Sequence, residues 1–177
     1  MPRRANRNGG GNSANLHGLH FEQTTCLDDV LQANGYLVNE KHQVILSSNI
    51  IGLSVNKRKF YKYFLEINNI NYLDFNSKRW EPDECFVNFS KKTVFIIEKK
   101  FQNTSGSVDE KIPNCDFKKK EYQKLCNPIH YHVEFIYVFS DWFKNERYTD
   151  FLTYIKDVGC KYFFNDIPLN VLGLSDN

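Results

Sequence analysis

The run Val94-Phe95-Ile96-Ile97, followed at once by Glu98-Lys99-Lys100, constrains this chain more than any other feature. An apolar, β-branched start of this kind predicts a strand over 93–100. With the two-residue period of a strand, Val94, Ile96, Glu98, Lys100 and then Gln102 share one face. Charges that continue an apolar stripe are costly unless they are used or paired. A second strand is expected over 85–89, and the polar turn Ser90-Lys91-Lys92 joins the two as a hairpin. Hairpin geometry then carries Asp83, at the mouth of the first strand, close to Glu98.

The rest of the chain supplies layers to cover such a hairpin. Leu19, Phe21, Thr25, Cys26, Val30 and Leu31 fall at helical spacing and Gly35 is a natural cap. Short strands are expected over 36–38 and 43–46, and a helix over 56–67 with Phe60, Phe64 and Ile67 on one face. Ser107-Val108-Asp109-Glu110 matches a capping box, so a helix starts there until Pro113 interrupts it. A lysine-rich helix over 117–126, a buried strand over 132–139, a helix over 141–157 capped by Gly159 and a last strand over 161–164 complete the order. This predicts an α/β fold with one mixed central sheet flanked by helices.

Composition narrows the class. The 177 residues are 41% hydrophobic and 25% charged, as in a globular domain. The apolar runs are far too short to span a bilayer, and none follows the N-terminal arginines, so no membrane segment or secretory signal is expected and the expected compartment is the cytoplasm. Five scattered cysteines with no CxxC pair read as buried free thiols. Residues 1–17, rich in Gly and Asn, carry Arg3, Arg4 and Arg7 and read as a flexible basic arm, with a folded domain over 18–177. Beyond Phe21, 20 basic residues face 21 acidic ones, so any nucleic-acid contact rests on the arm and on local patches.

Two carboxylates on one face suit a hard divalent cation, with Mg²⁺ the expected one. A lysine two residues on can orient a water or offset charge on a phosphate. Acid-any-Lys occurs three times, at Glu98-x-Lys100, Asp109-x-Lys111 and Asp116-x-Lys118, but only the first ends an apolar strand. An Asp–Lys–Glu network at a strand end is the competing reading of the same residues. His130 and His132 are expected to share a strand face, and Asp116 to cap the helix that follows it.

Trp80-Glu81-Pro82-Asp83-Glu84 and Ile96-Ile97-Glu98-Lys99-Lys100 resemble the PD-(D/E)xK nuclease superfamily, type II restriction endonuclease-like. Gly18-Leu19-His20-Phe21-Glu22 is similar to its first-helix motif. Glu98-Lys99-Lys100-x-Gln102, Gly106-Ser107-Val108-Asp109-Glu110-Lys111 and Phe117-Lys118-x-x-x-Tyr122 look like a subgroup of short bacterial and viral chains. The resemblance covers residues 18–140. It implies a restriction-endonuclease-like core and metal-dependent hydrolysis of DNA, with Asp83 and Glu98 as metal ligands, Lys100 as the catalytic lysine and Glu22 as an auxiliary acid. Mg²⁺ is the expected cofactor, with Mn²⁺ as a substitute. Gln102, Ser107, Lys111, Lys118 and Lys119 become candidates for DNA contact, beside Arg3, Arg4 and Arg7 in the arm. The expected partners are double-stranded DNA and a second copy of the chain. Repair, junction-resolving and RNA-cleaving roles, or a non-catalytic DNA-binding module, stand as alternatives on the same core, and Glu84 competes with Asp83 as the inward-facing acid.

Overall fold

The computed structural model describes residues 21, 25–102 and 109–175. Seven strands form one mixed sheet: β1 (Leu37–Val38), β2 (Gln43–Leu46), β3 (Asn49–Val55), β4 (Glu84–Asn88), β5 (Thr93–Lys100), β6 (His132–Phe139) and β7 (Lys161–Phe164), ordered as in the sequence. The first five pair antiparallel, through short turns except between β3 and β4, which are joined by the helical segment 56–83, whereas β5–β6 and β6–β7 pair parallel. Parallel neighbours need a crossover. The first passes through a 3₁₀ segment (Asp109–Asn114) and α3 (Cys115–Cys126), the second through α4 (Thr149–Asp157).

Two apolar layers cover the sheet. On one face, Val94 and Ile96 of β5 and Phe135, Tyr137 and Phe139 of β6 pack with Tyr122, Leu125 and Cys126 of α3, Ile155 of α4 and Phe60, which ends α2 (Lys57–Phe60). On the other, Phe95, Ile97, Ile136 and Val138 meet Leu27 and Leu31 of α1 (Leu27–Ala33) and the 3₁₀ turn Leu169–Leu172. Both faces of β5 and β6 are therefore buried, as their near-continuous apolar runs require. Cys85, Cys115, Cys126 and Cys160 are buried and Cys26 half-buried, all as free thiols. None of the described helices is long and apolar enough to cross a membrane.

The structure departs from the sequence-based expectations at several elements. The segment after α2 continues as a π-helical turn (Tyr61–Leu65) and a 3₁₀ turn (Glu66–Asn68). The wider turn shifts the helical phase, so Tyr61 and Leu65 join Phe64 in the core while Ile67 is 68% exposed. The helix expected over 141–157 is broken at Asn145, whose extended backbone separates two 3₁₀ turns before α4. Asp116 lies inside α3 and pairs with Lys120 one turn on, so Asn114 is the capping position. His130 adopts a left-handed conformation before β6 and so does not share the strand face of His132. Strand β3 has no sequence-based counterpart. Its Gly52 passes so close to β4 that an added Cβ would lie 2.2 Å from the Val87 carbonyl oxygen.

Candidate active site

The carboxyl ends of β3, β5 and β6 open at one end of the sheet, and β4 begins there. In open sheets with parallel strands this is the end where ligands bind. Glu98 sits on β5 between the apolar stripe and this end and is only 3% exposed. Its Oε2 accepts hydrogen bonds from Lys100 Nζ at 3.1 Å and Lys118 Nζ at 2.9 Å. Its Oε1 is buried and meets no hydrogen-bond donor among the described residues.

Asp83 occupies the bend before β4. Its Oδ2 accepts the Lys99 amide hydrogen at 2.8 Å and lies 3.9 Å from Lys100 Nζ. Lys100 therefore stands between the two carboxylates, its ammonium also 3.2 Å from the Lys99 carbonyl oxygen and 5.8 Å from the centre of the Tyr137 ring. The strand period separates Asp83 from Glu84. Glu84 turns to the opposite face, where its Oε1 accepts the Leu27 amide at 3.1 Å and pairs with Lys99 Nζ at 2.9 Å. Burial pushes the Glu84 carboxyl above the usual range, and Lys99 opposes part of that rise. Asp83, Glu98 and Lys100 thus share one face, whereas Glu84 and Lys99 form a separate half-buried pair.

Helix α3 contributes a second layer. Lys118 and Tyr122 are four residues apart and so share a helix face. Lys118 reaches Glu98, and the buried Tyr122 hydroxyl has no hydrogen-bond partner among the described residues. Burial first, then the nearby Glu98 carboxylate, raises the Tyr122 pKa far above that of a free phenol, so this hydroxyl stays protonated. Tyr137 is also held neutral by burial, and its hydroxyl donates to the Ile112 carbonyl at 3.1 Å, fastening the 3₁₀ segment over β6.

The residues expected to contact DNA fare differently. Lys118 belongs to the acid cluster, not to an open surface. Lys119 donates to the Gly159 carbonyl at 2.7 Å and ties α3 to the turn after α4. Gln102 is buried where β5 ends, its backbone N–H donating to Ser140 Oγ at 3.3 Å. Lys111 is exposed on the 3₁₀ segment. Glu22, Ser107, Arg3, Arg4 and Arg7 lie outside the described residues. The signal for Lys118 was present in the sequence as its four-residue spacing from Tyr122, but spacing alone does not say that this face meets Glu98 rather than water.

The donor set fits a hard divalent cation. Both side chains offer carboxylate oxygens, and the buried Glu98 Oε1 is an acceptor without a proton donor among the described residues. Among the described residues no group of three or more His, Cys, Asp or Glu gathers into a metal cage. A Mg²⁺ ion needs none, since it is commonly held by one or two carboxylates and keeps several waters.

A family model described as a PD-(D/E)XK nuclease superfamily domain matches residues 17–132. No curated protein and no solved structure matches the chain. The matched span takes in Asp83, Glu98, Lys100, Lys118 and Tyr122 and ends on the first residue of β6. With the acid–lysine cluster placed at the end of a mixed sheet between two helical layers, the match fixes the family: the chain belongs to the PD-(D/E)XK nuclease superfamily.

Proposed function

We propose that this protein is a Mg²⁺-dependent endonuclease that hydrolyses phosphodiester bonds in duplex DNA, sequence-specific in the manner of a type II restriction enzyme. One observation carries the reading: the buried Glu98 keeps one oxygen unpartnered among the described residues while its other oxygen holds Lys100 and Lys118. A structural ion-pair network at a strand end would gain by satisfying both oxygens, because an unpaired buried acceptor is costly. An acid that must take a further ligand keeps one open.

Asp83 and Glu98 would hold the cation, which when bound supplies positive charge beside a phosphate oxygen and acidifies water. The chain's own residues do the positioning. Lys100 is anchored by both carboxylates and presents its ammonium at the mouth of the site, where it orients a water and offsets charge building on the phosphorus oxygens. Lys118 balances the second carboxylate charge, so the cluster carries two acids and two ammonium groups. Asp83 is held through its bond to the Lys99 amide, which ties its position to the β5 backbone. A small chain that cuts both strands most simply acts as a twofold dimer on a palindromic site.

The substrate class is read directly by incubating the purified chain with Mg²⁺ and, separately, supercoiled plasmid, single-stranded DNA, a four-way junction and RNA. Linear plasmid products with fixed ends in run-off sequencing are expected. Cleavage confined to junctions or RNA would reassign the substrate, and cleavage of none would leave a binding module.

A further inference from the structure

Beside the acid cluster, at the same sheet end, a cavity of about 160 Å³ is lined by Asn56, Lys57, Asp83, Glu84 and Lys99. We infer that Lys57 is a further substrate-positioning residue, holding a backbone phosphate of the bound nucleic acid next to the one that is cut. The inference rests on the nuclease reading and adds a residue to it.

Three observations support it. Lys57 is exposed, and no carboxylate among the described residues lies within ion-pair distance of its ammonium. The other charges on the cavity wall are committed: Lys99 to Glu84, and Asp83 to Lys100 and the Lys99 amide. An anion entering this cavity therefore meets one uncommitted cation, Lys57. Second, Lys57 has φ +44°, a left-handed conformation that a lysine rarely adopts and that is retained where the surroundings or the function demand it. The bond from its amide to the Pro82 carbonyl, 2.8 Å, holds it beside the residue that precedes Asp83. Third, Lys57, Arg58 and Lys59 open α2 with no acid in its first turn, the reverse of what the helix dipole favours. Arg58 is paired with Glu81, which leaves Lys57 as the member of the run facing the cavity.

The test uses the full chain with Lys57→Ala, Lys57→Arg and Lys57→Asn; asparagine accepts the left-handed backbone, so it separates charge loss from strain. With plasmid DNA and Mg²⁺, Lys57→Ala and Lys57→Asn should both lower kcat/KM by about tenfold or more, chiefly through KM, as expected for a lost charge-assisted contact. Lys57→Arg should recover most of it. In a Glu98→Gln background, the slope of log affinity for a duplex oligonucleotide against log salt should fall by about 0.9 on Lys57→Ala, one phosphate's worth. An unchanged slope and unchanged KM in a variant whose urea unfolding matches the parent would overturn the inference while leaving the nuclease reading intact. A shifted unfolding midpoint with no change in slope would assign Lys57 a structural role and overturn it equally. A wild-type chain that neither binds nor cuts DNA would overturn both readings together.

Discussion

Glu98 illustrates what a buried charge on an apolar strand requires. Removing one member of a buried ion-pair cluster strands the others, at a cost of about 3–5 kcal/mol when nothing compensates. Neighbouring lysines on α3 consequently have separable consequences. Lys118→Ala should slow single-turnover cleavage by at least about tenfold, because Glu98 loses one of the two cations that pair with it and hold its position. Lys119→Ala should spare that rate and cost about 1 kcal/mol of stability through the lost bond to Gly159. Rapid-quench kinetics beside urea unfolding separates the two, and the opposite pattern would mean that the wrong lysine was placed at the site. On the other sheet face, Glu84→Gln should lower the unfolding midpoint by taking the carboxylate from the half-buried Lys99, yet leave cleavage in place. Loss of cleavage by this variant, with cleavage retained by Asp83→Asn, would move the ligand from Asp83 to Glu84.

At the level of elements, close backbone approach makes Gly52 irreplaceable. Gly52→Ala drives a methyl group into the Val87 carbonyl oxygen of the neighbouring strand and should destabilise the protein by about 1–3 kcal/mol, read as a lower urea midpoint with an unchanged slope. A neutral result would mean that β3 and β4 can separate locally at no cost. This same strand was the one illegible in the sequence. Its burial does not alternate along Asn49–Val55, and its register with β2 slips between Val44 and Ile45, so the two-residue period that betrays a strand is absent. Strands β2, β5, β6 and β7 were legible to the residue because their apolar or aromatic runs are bounded by polar turns. The acids and Lys100 were legible for the related reason that charges ending an apolar run stand out. What failed was phase: Ile67 was misplaced because a π-helical turn has no signature in a hydrophobic pattern. The contact of Lys118 with Glu98 was not legible, because helix spacing gives neighbours on one helix, not the strand they meet.

For the molecule as a whole, parallel crossovers on one face of an otherwise antiparallel sheet bring α3 over the end of β5, which is how two lysines from different elements converge on one carboxylate. The chain is nearly neutral beyond Phe21, so any long-range attraction for nucleic acid has to come from elsewhere. Deleting residues 2–16, which removes Arg3, Arg4 and Arg7, should lower the slope of log affinity against log salt by up to about 2.7 per chain if each arginine meets a phosphate. Equal slopes for the full and truncated chains would leave recognition to the folded body. The central claim is that Asp83 and Glu98 support cation-dependent phosphodiester cleavage, and one plasmid assay tests it most directly. Wild type, Asp83→Asn and Glu98→Gln are compared at matched DNA occupancy, with Mg²⁺ and with chelator. The account predicts cutting by wild type in Mg²⁺ alone and none by either variant, each of which still binds duplex DNA. Full Mg²⁺-dependent cutting by Glu98→Gln would contradict it.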